Sequence, residues 1–343
     1  MCPPPKDGQK LKNWQSRLCV MGQSLLPVRP RPKFEESFSS WLVRVAWSNG
    51  IPPGPFCHRL LSHHLNWTRD ADRPVNPATL QILSRATCIP ISQLLETTVQ
   101  YYENLLFDQT TPQKTQTMIT SLGLYHRTHR TFGQTYCPRC LATAGYYRLP
   151  WRFVLVTACT IHKELLWDRC WKCGSTVCLH SDKWHCCDIC GADRRNASIQ
   201  TTDASVLEIQ SLIERCLRTM EAPDFSETPS AKSYFRFLYD LMKLLHYQNP
   251  RIIRLREEIA DTFGELAYIP PNPGRAVRLE SLDCRSRHQL LAMVARLLPN
   301  WPERFVRLAK RADCWASFLL KDMTNPHPAL INCSSRYLVY KSN

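Results

Sequence analysis

Four short pairs of thiol and imidazole side chains constrain this chain more than anything else in it. They are Cys137-Pro-Arg-Cys140, Cys159-Thr-Ile-His162, Cys170-Trp-Lys-Cys173 and Cys187-Asp-Ile-Cys190. A two-residue gap lets a tight turn aim both donor atoms at one ion, at about 2.3 Å for sulfur. Two such knuckles complete a tetrahedron, so four knuckles predict two metal sites. Sequential pairing puts Cys137, Cys140, Cys159 and His162 in site one, and Cys170, Cys173, Cys187 and Cys190 in site two. Interleaved pairing stays open. Cys178, His180, His185 and Cys186 are spare donors, and Cys186 or His185 could replace a site-two ligand. Gly174 and Gly191 follow the two halves of site two, where a left-handed residue closes a knuckle.

Nine of the 17 cysteines fall between Cys137 and Cys190. Clustering of this kind in a chain with no export signal reads as metal binding rather than as a disulfide scaffold. Both sites have four protein ligands and leave no open position for water, so the zincs are expected to be structural and the chain is not expected to be an enzyme. No G-x-x-x-x-G-K-[ST] or G-x-G-x-x-G occurs. The 29 acidic residues show no arrangement that would hold the Mg²⁺ of a nuclease or transposase.

The formal net charge is +15, which favours an anionic partner. Seven ligand thiolates, three in site one and four in site two, against two Zn²⁺ lower it to about +12 by the thiolate rule. No apolar run approaches the ~18 residues of a membrane span. The N-terminus lacks a signal-peptide core, so a cytoplasmic, non-membrane protein is expected.

Along the chain, residues 1–33 are a basic, Pro-rich lead-in, read as a flexible tail or as an extended segment that docks on a partner. Residues 34–133 read as an N-terminal helical domain. Phe38, Leu42, Val45 and Ala46 have helical spacing, stopped by Asn49-Gly50 and Pro52-Pro53. Residues 78–87 and 91–100 form two amphipathic segments joined by a tight turn, a helix-turn-helix shape. Ser92, Gln93, Glu96 and Thr97 would face outward. That face has a carboxylate and no cation, which suits protein docking better than phosphate. Residues 108–135 read as a polar linker carrying Arg127 and Arg130.

Residues 134–196 are the tandem zinc-knuckle module. Between its first knuckles, Gly145-Tyr-Tyr-Arg-Leu-Pro-Trp-Arg152 mixes aromatics with Arg148 and Arg152, either a nucleic-acid contact or the core of a small module. Residues 197–343 read as a C-terminal helical domain. Periodic runs cover Val206 to Met220, Tyr234 to Leu245, and Leu290 to Leu298. Asn272-Pro-Gly274 breaks them. After Pro299 and Pro302 a further run carries Phe305, Leu308 and Ala309, with Arg304, Arg307, Lys310 and Arg311 as candidate phosphate contacts or a solvated face. Tyr337, Val339 and Tyr340 read as an edge strand or loose tail. The fold class is therefore mainly α with small zinc-binding modules.

These motifs together resemble the TniQ/TnsD family of Tn7-like transposons. The resemblance rests on Leu26-Pro-Val-Arg-Pro-Arg-Pro32, Glu36-Ser-Phe-Ser-Ser-Trp-Leu-Val-Arg-Val-Ala46, Tyr136-Cys-Pro-Arg-Cys-Leu141, Tyr146-Tyr-Arg-Leu-Pro-Trp-Arg152, Cys159-Thr-Ile-His162 and Asp168-Arg-Cys-Trp-Lys-Cys-Gly174. Thr160 stands where the family usually has proline, and Lys163 where glycine is common. The resemblance implies a bacterial target-site adaptor that is not an enzyme. Such proteins hand chosen DNA to the AAA+ regulator TnsC. Some members read an attachment site through their own domains, as TnsD types do. Others sit on an RNA-guided CRISPR effector, with guide RNA within reach. This chain is shorter than the long site-binding members, yet has a helical half that minimal members lack. The CRISPR-associated role is the favoured expectation and the self-sufficient DNA reader the alternative. Homodimers occur in the family. A plain DNA-binding protein acting alone is a separate class, and salt-dependent binding to one duplex would identify it.

Overall fold

The computed structural model describes residues 25–338, except 63–64, 66, 68–69, 74, 107–115, 123–132, 180–184, 226, 266 and 272–276. Most of the lead-in, Arg127, Arg130, His180, the 272–274 breaker, Val339 and Tyr340 therefore lie outside the described residues. Within them the fold is mainly α, with twelve α-helices and one two-stranded sheet.

The N-terminal helices form around one apolar run. Helix α1 (Phe38–Ser48) is capped by the Ser37 side chain, which accepts from the Ser40 N–H. It ends at Asn49 and Gly50, whose φ of 68° only glycine adopts without strain. Pro52-Pro53 then does two jobs, because Pro53 also opens α2 (Pro53–Leu61). Asn76 caps α3 (Pro77–Thr87), and Cys88 turns left-handed before α4 (Ile91–Leu95). Phe38, Trp41, Leu42, Leu83 and Leu94 meet in a shared cluster. Helix α4 is only five residues long, too short to lie along a major groove as a recognition helix. Ser92 and Glu96 are exposed and Gln93 is half-buried, but Thr97 is buried and donates to the Leu94 carbonyl.

Residues 25–33 pack against this unit. The Leu26 N–H donates to the Ala86 carbonyl, Asn49 holds Val28 through both amide atoms, and the Trp41 indole donates to the Pro30 carbonyl at 2.8 Å. The described part of the lead-in thus docks on its own chain. Residues 116–122 are likewise woven in rather than linking. Met118 and Ile119 are buried, and Ile119 bridges Phe153 in antiparallel fashion.

The C-terminal helices are α6 (Ala204–Thr219), α7 (Ala231–His246), α8 (Pro250–Phe263), α9 (Cys284–Leu297), α10 (Glu303–Arg311), α11 (Ala316–Leu320) and α12 (Pro328–Tyr337). Asp203, Ser230, Asn249 and Asp283 cap α6 to α9 in turn. Helix α9 is central, packed on α6, α7 and α8. Helix α10 packs mainly on α8 and α12, so α9 and α10 do not form the closed pair of a helix-turn-helix. Tyr337 ends a helix rather than an edge strand.

One buried cluster runs from Val43 through the first metal site to Leu338, crossing residues 134 and 197. The reason is size. The strands β1 (Ala158–Cys159) and β2 (Glu164–Leu165) are two residues each and bury nothing alone. They lie under α6 and α9. Arg287 of α9 is 1% exposed and donates to the carbonyls of Phe153, Val154 and Val156. The Cys284 N–H meets the Asp168 carboxylate at 2.6 Å.

Candidate metal centres and the basic residues around them

The first centre is assembled from a helix start and a hairpin. Cys137 precedes α5 (Pro138–Thr143), and its sulfur accepts the Cys140 N–H. Cys159 ends β1, and His162 follows in the turn to β2. Cys140 Sγ lies 3.6 Å from Cys159 Sγ, and His162 Nδ1 lies 3.2, 3.3 and 3.6 Å from the sulfurs of Cys137, Cys140 and Cys159. A tetrahedron with arms of about 2.3 Å has edges of about 3.8 Å. The three cysteines are buried and His162 is half-exposed.

The second centre is two copies of one turn. The Gly174 N–H donates to the Cys170 carbonyl and the Gly191 N–H to that of Cys187, both at 2.9 Å. The Cys170 N–H donates to Ser175 and the Cys187 N–H to Ala192, both at 2.8 Å. Gly174 and Gly191 have φ of 70° and 68°. Cys170 and Cys190 sulfurs are 3.7 Å apart, those of Cys173 and Cys187 3.6 Å. These separations fit a shared ion and are far beyond a disulfide bond. The Ser175 hydroxyl touches both Cys173 and Cys187. That contact, ahead of backbone donation, pulls the Cys173 thiol down to about 6, into the thiolate range that binds metal.

Both clusters of four are the sequential sets, each with its ligand atoms within 4.8 Å of one another. The structure therefore gathers sequential rather than interleaved knuckles, and Cys178, His185 and Cys186 belong to neither cluster. The two differ in setting. The first centre is part of the main core; the second forms a satellite cluster with Cys173 exposed.

Lys163 occupies the place of Gly174 and Gly191 in the first centre. Its N–H donates to the Cys159 carbonyl at 2.7 Å, and its φ is 54°. Thr160, beside Cys159, donates to the Glu214 carboxylate of α6 at 2.6 Å. Glu164 holds both the Cys137 thiol, at 2.9 Å, and Arg139.

The aromatic-basic stretch between the knuckles turns inward. Arg152 is fully buried, 2.7 Å from Asp72 and bonded also to Asp70 and the Thr120 carbonyl. Arg148 is 8% exposed and pairs with Glu35 at 2.5 Å. Neither guanidinium is presented to a phosphate, because each already neutralises a buried or half-buried carboxylate. This corrects their reading as nucleic-acid contacts. Trp151 is buried, as a core residue. On α10, Arg304 is half-buried, donating to the Arg296 carbonyl and lying over the Phe263 ring. Arg311 reaches Glu258 at 3.8 Å, and Arg307 and Lys310 are exposed. Sequence reasoning missed Asp70, Asp72, Glu35 and Glu214. Nothing in their spacing marks a carboxylate as buried.

Fold and sites together define a mainly helical protein carrying two closed Cys/His clusters that could hold metal. No helix among the described residues is long and apolar enough to cross a membrane. Residues 27–166 match the model of the TniQ family, which supports a TniQ/TnsD-family protein and indicates a target-selection component of Tn7-like transposition. The TniQ family is one of non-catalytic transposition adaptors. The matched segment ends just after β2, so it contains the first centre but not the second, nor the C-terminal helices. No curated protein matches the chain.

Proposed function

We propose that this chain is an adaptor joining a target-recognition complex and target DNA to a TnsC-type AAA+ ATPase. The carrying observation is the TniQ match over 27–166, a stretch in which the lead-in, the N-terminal helices and the first centre pack as one body. The Ser37 N–H donates to the Tyr147 carbonyl and the Leu149 N–H to that of Glu35, tying the entry to α1 to the knuckle region. In this reading both centres hold zinc, bound by Cys137, Cys140, Cys159 and His162, and by Cys170, Cys173, Cys187 and Cys190. Zinc supplies folding energy there, since four protein ligands exclude a reactive water. The exposed α4 edge with Ser92, Gln93 and Glu96 is the side offered to the ATPase. The target complex is an RNA-guided CRISPR effector with its guide RNA, and the chain works in the bacterial cytoplasm as a monomer or homodimer.

The second reading is a self-sufficient DNA reader of the TnsD type. The outward Arg307, Lys310 and Arg311 of α10 favour it. One experiment separates them: duplex binding by the purified protein across a salt series, with and without the ATPase and a guide complex. Weak, sequence-blind binding that becomes stable only in the assembly supports the adaptor. Tight binding to one sequence by the chain alone supports the reader.

A further inference from the structure

Helices α10 and α12 leave an open groove whose chemistry the adaptor reading does not use. One hollow of about 340 Å³ is lined by Pro302, Glu303, Val306, Arg307, Lys310 and Tyr337. A second, of about 430 Å³, shares Pro302 and Tyr337 and continues past Asn332, Ser335 and Arg336. Tyr337 thus stands between the two, with 41% of its surface exposed. Arg307 and Lys310 are one turn apart on α10, and Arg336 is in the last turn of α12. All three are exposed and make no ion pair among the described residues. The facing carboxylates are Glu303, in the first turn of α10, and Glu227, in the second hollow.

We propose that this groove binds single-stranded nucleic acid, with phosphates on Arg307, Lys310 and Arg336 and an unpaired base stacked on Tyr337. Charge complementarity identifies the occupant as an anion, and an exposed ring between cations identifies it as one carrying flat faces. A duplex keeps its bases stacked inside and offers Tyr337 nothing. An acidic peptide would satisfy the cations but not the ring. The inference rests on the adaptor reading for its biological sense, since a guide RNA and a displaced DNA strand both present unpaired bases. Their shared chemistry is a phosphodiester strand with open base faces.

The test is fluorescence anisotropy with the full, metal-replete chain. The probes are labelled oligothymidylate, oligouridylate, a mixed-sequence duplex and a poly-glutamate peptide, each across a salt series. The single strands should bind tighter than the duplex and the peptide. Tyr337→Ala should weaken them about tenfold, and Tyr337→Phe, which keeps the stacking face, should not. The pair Arg307→Ala and Lys310→Ala should flatten the salt dependence. Glu227→Gln should tighten binding. Thermal melts of the variants confirm that each is folded. Comparison of the thymidylate and uridylate arms tells a DNA strand from an RNA one. Equal binding of the duplex or the peptide, or affinities unmoved in Tyr337→Ala and the double variant, would overturn the proposal. Failure of the adaptor reading shows elsewhere, as loss of ATPase capture by a protein whose groove still binds single strands.

Discussion

The Arg152 guanidinium and the Asp72 carboxylate meet at 2.7 Å with neither side chain exposed. The pair joins the knuckle region to the N-terminal helices, because Asp72 also accepts the Ser39 N–H in the first turn of α1 at 2.6 Å. Asp70 shares the same guanidinium, so two carboxylates face one cation. Burial works to raise both acids. Arg152 overcomes it at Asp70, which is lowered, while Asp72 stays raised with the Asp70 charge adding to the burial.

Arg152→Met should therefore destabilise the chain severely. It leaves the buried Asp72 without its cation and Asp70 with Arg73 alone, at 3.4 Å, a loss of about 3–5 kcal/mol. Arg152→Lys should recover only part, because one ammonium cannot reproduce the planar fork that holds Asp70 and Asp72 together. Urea denaturation of the metal-replete protein measures both. A folded Arg152→Met protein of native stability that had lost only nucleic-acid affinity would show that this arginine faces a ligand after all.

Removing one ligand from each centre should give different outcomes. Cys137 is fully buried in the main core, whereas Cys173 is exposed in a satellite cluster. Elemental analysis should return two metal ions per chain for the native protein. Cys137→Ser should abolish folding of the body. Cys173→Ser should leave one ion bound and the main thermal transition in place, with faster proteolysis confined to the second knuckle pair. One ion in the native protein, or global unfolding of Cys173→Ser, would contradict this division.

The legible part of the fold was the part written in short spacings. Paired cysteines fix both the ligand set and, through Gly174 and Gly191, the turn that aims it. Periodic runs such as Tyr234 to Leu245 mark helices because one face must be apolar. Helix α8 was harder to see, since Arg251, Arg254, Arg256, Glu257 and Glu258 crowd its sequence. Arg256 is nonetheless buried, held by the carbonyls of Leu245 and Tyr247. Arg148 and Arg152 show the same limit. Whether an arginine faces solvent or a buried acid depends on where residues 35, 70 and 72 arrive, which is a matter of tertiary packing. The length of α4 was also illegible, because Ile91 to Gln100 keeps an apolar pattern while the backbone leaves the helix after Leu95.

Lys163→Gly should stabilise the first centre. A side chain in the left-handed region costs roughly 1–2 kcal/mol that glycine avoids, and the two other knuckles of this geometry already carry glycine. A gain of about 1 kcal/mol is expected after the greater freedom of glycine in the unfolded chain is subtracted. Lys163→Val should lose stability, since a β-branched residue resists this conformation most. Thermal unfolding in saturating Zn²⁺ reports the difference. No gain from glycine would mean that the lysine side chain earns its place through a contact of its own.

His288 should make the fold sensitive to mild acid. It sits on α9 with Nδ1 at 3.0 Å from the Thr157 hydroxyl and Nε2 at 3.1 Å from that of Thr202, bridging the knuckle hairpin and the start of α6. Burial, helped by Arg285 and Arg287, pushes its pKa down to about 4. In the unfolded chain it titrates near 6.5. Above that pH the ring is neutral in both states and has no effect on the slope. Between about 6.5 and 4 the unfolded chain takes up a proton that the folded one refuses, so stability falls as the pH falls. The full difference is about 3 kcal/mol. His288→Gln keeps a group able to meet both hydroxyls but cannot titrate. Its stability should change less steeply than that of the native protein over this window. Both are measured by urea denaturation in excess Zn²⁺, so that acid loss of metal affects the two alike. Parallel pH profiles would show that His288 is solvated, or already charged, in the folded state.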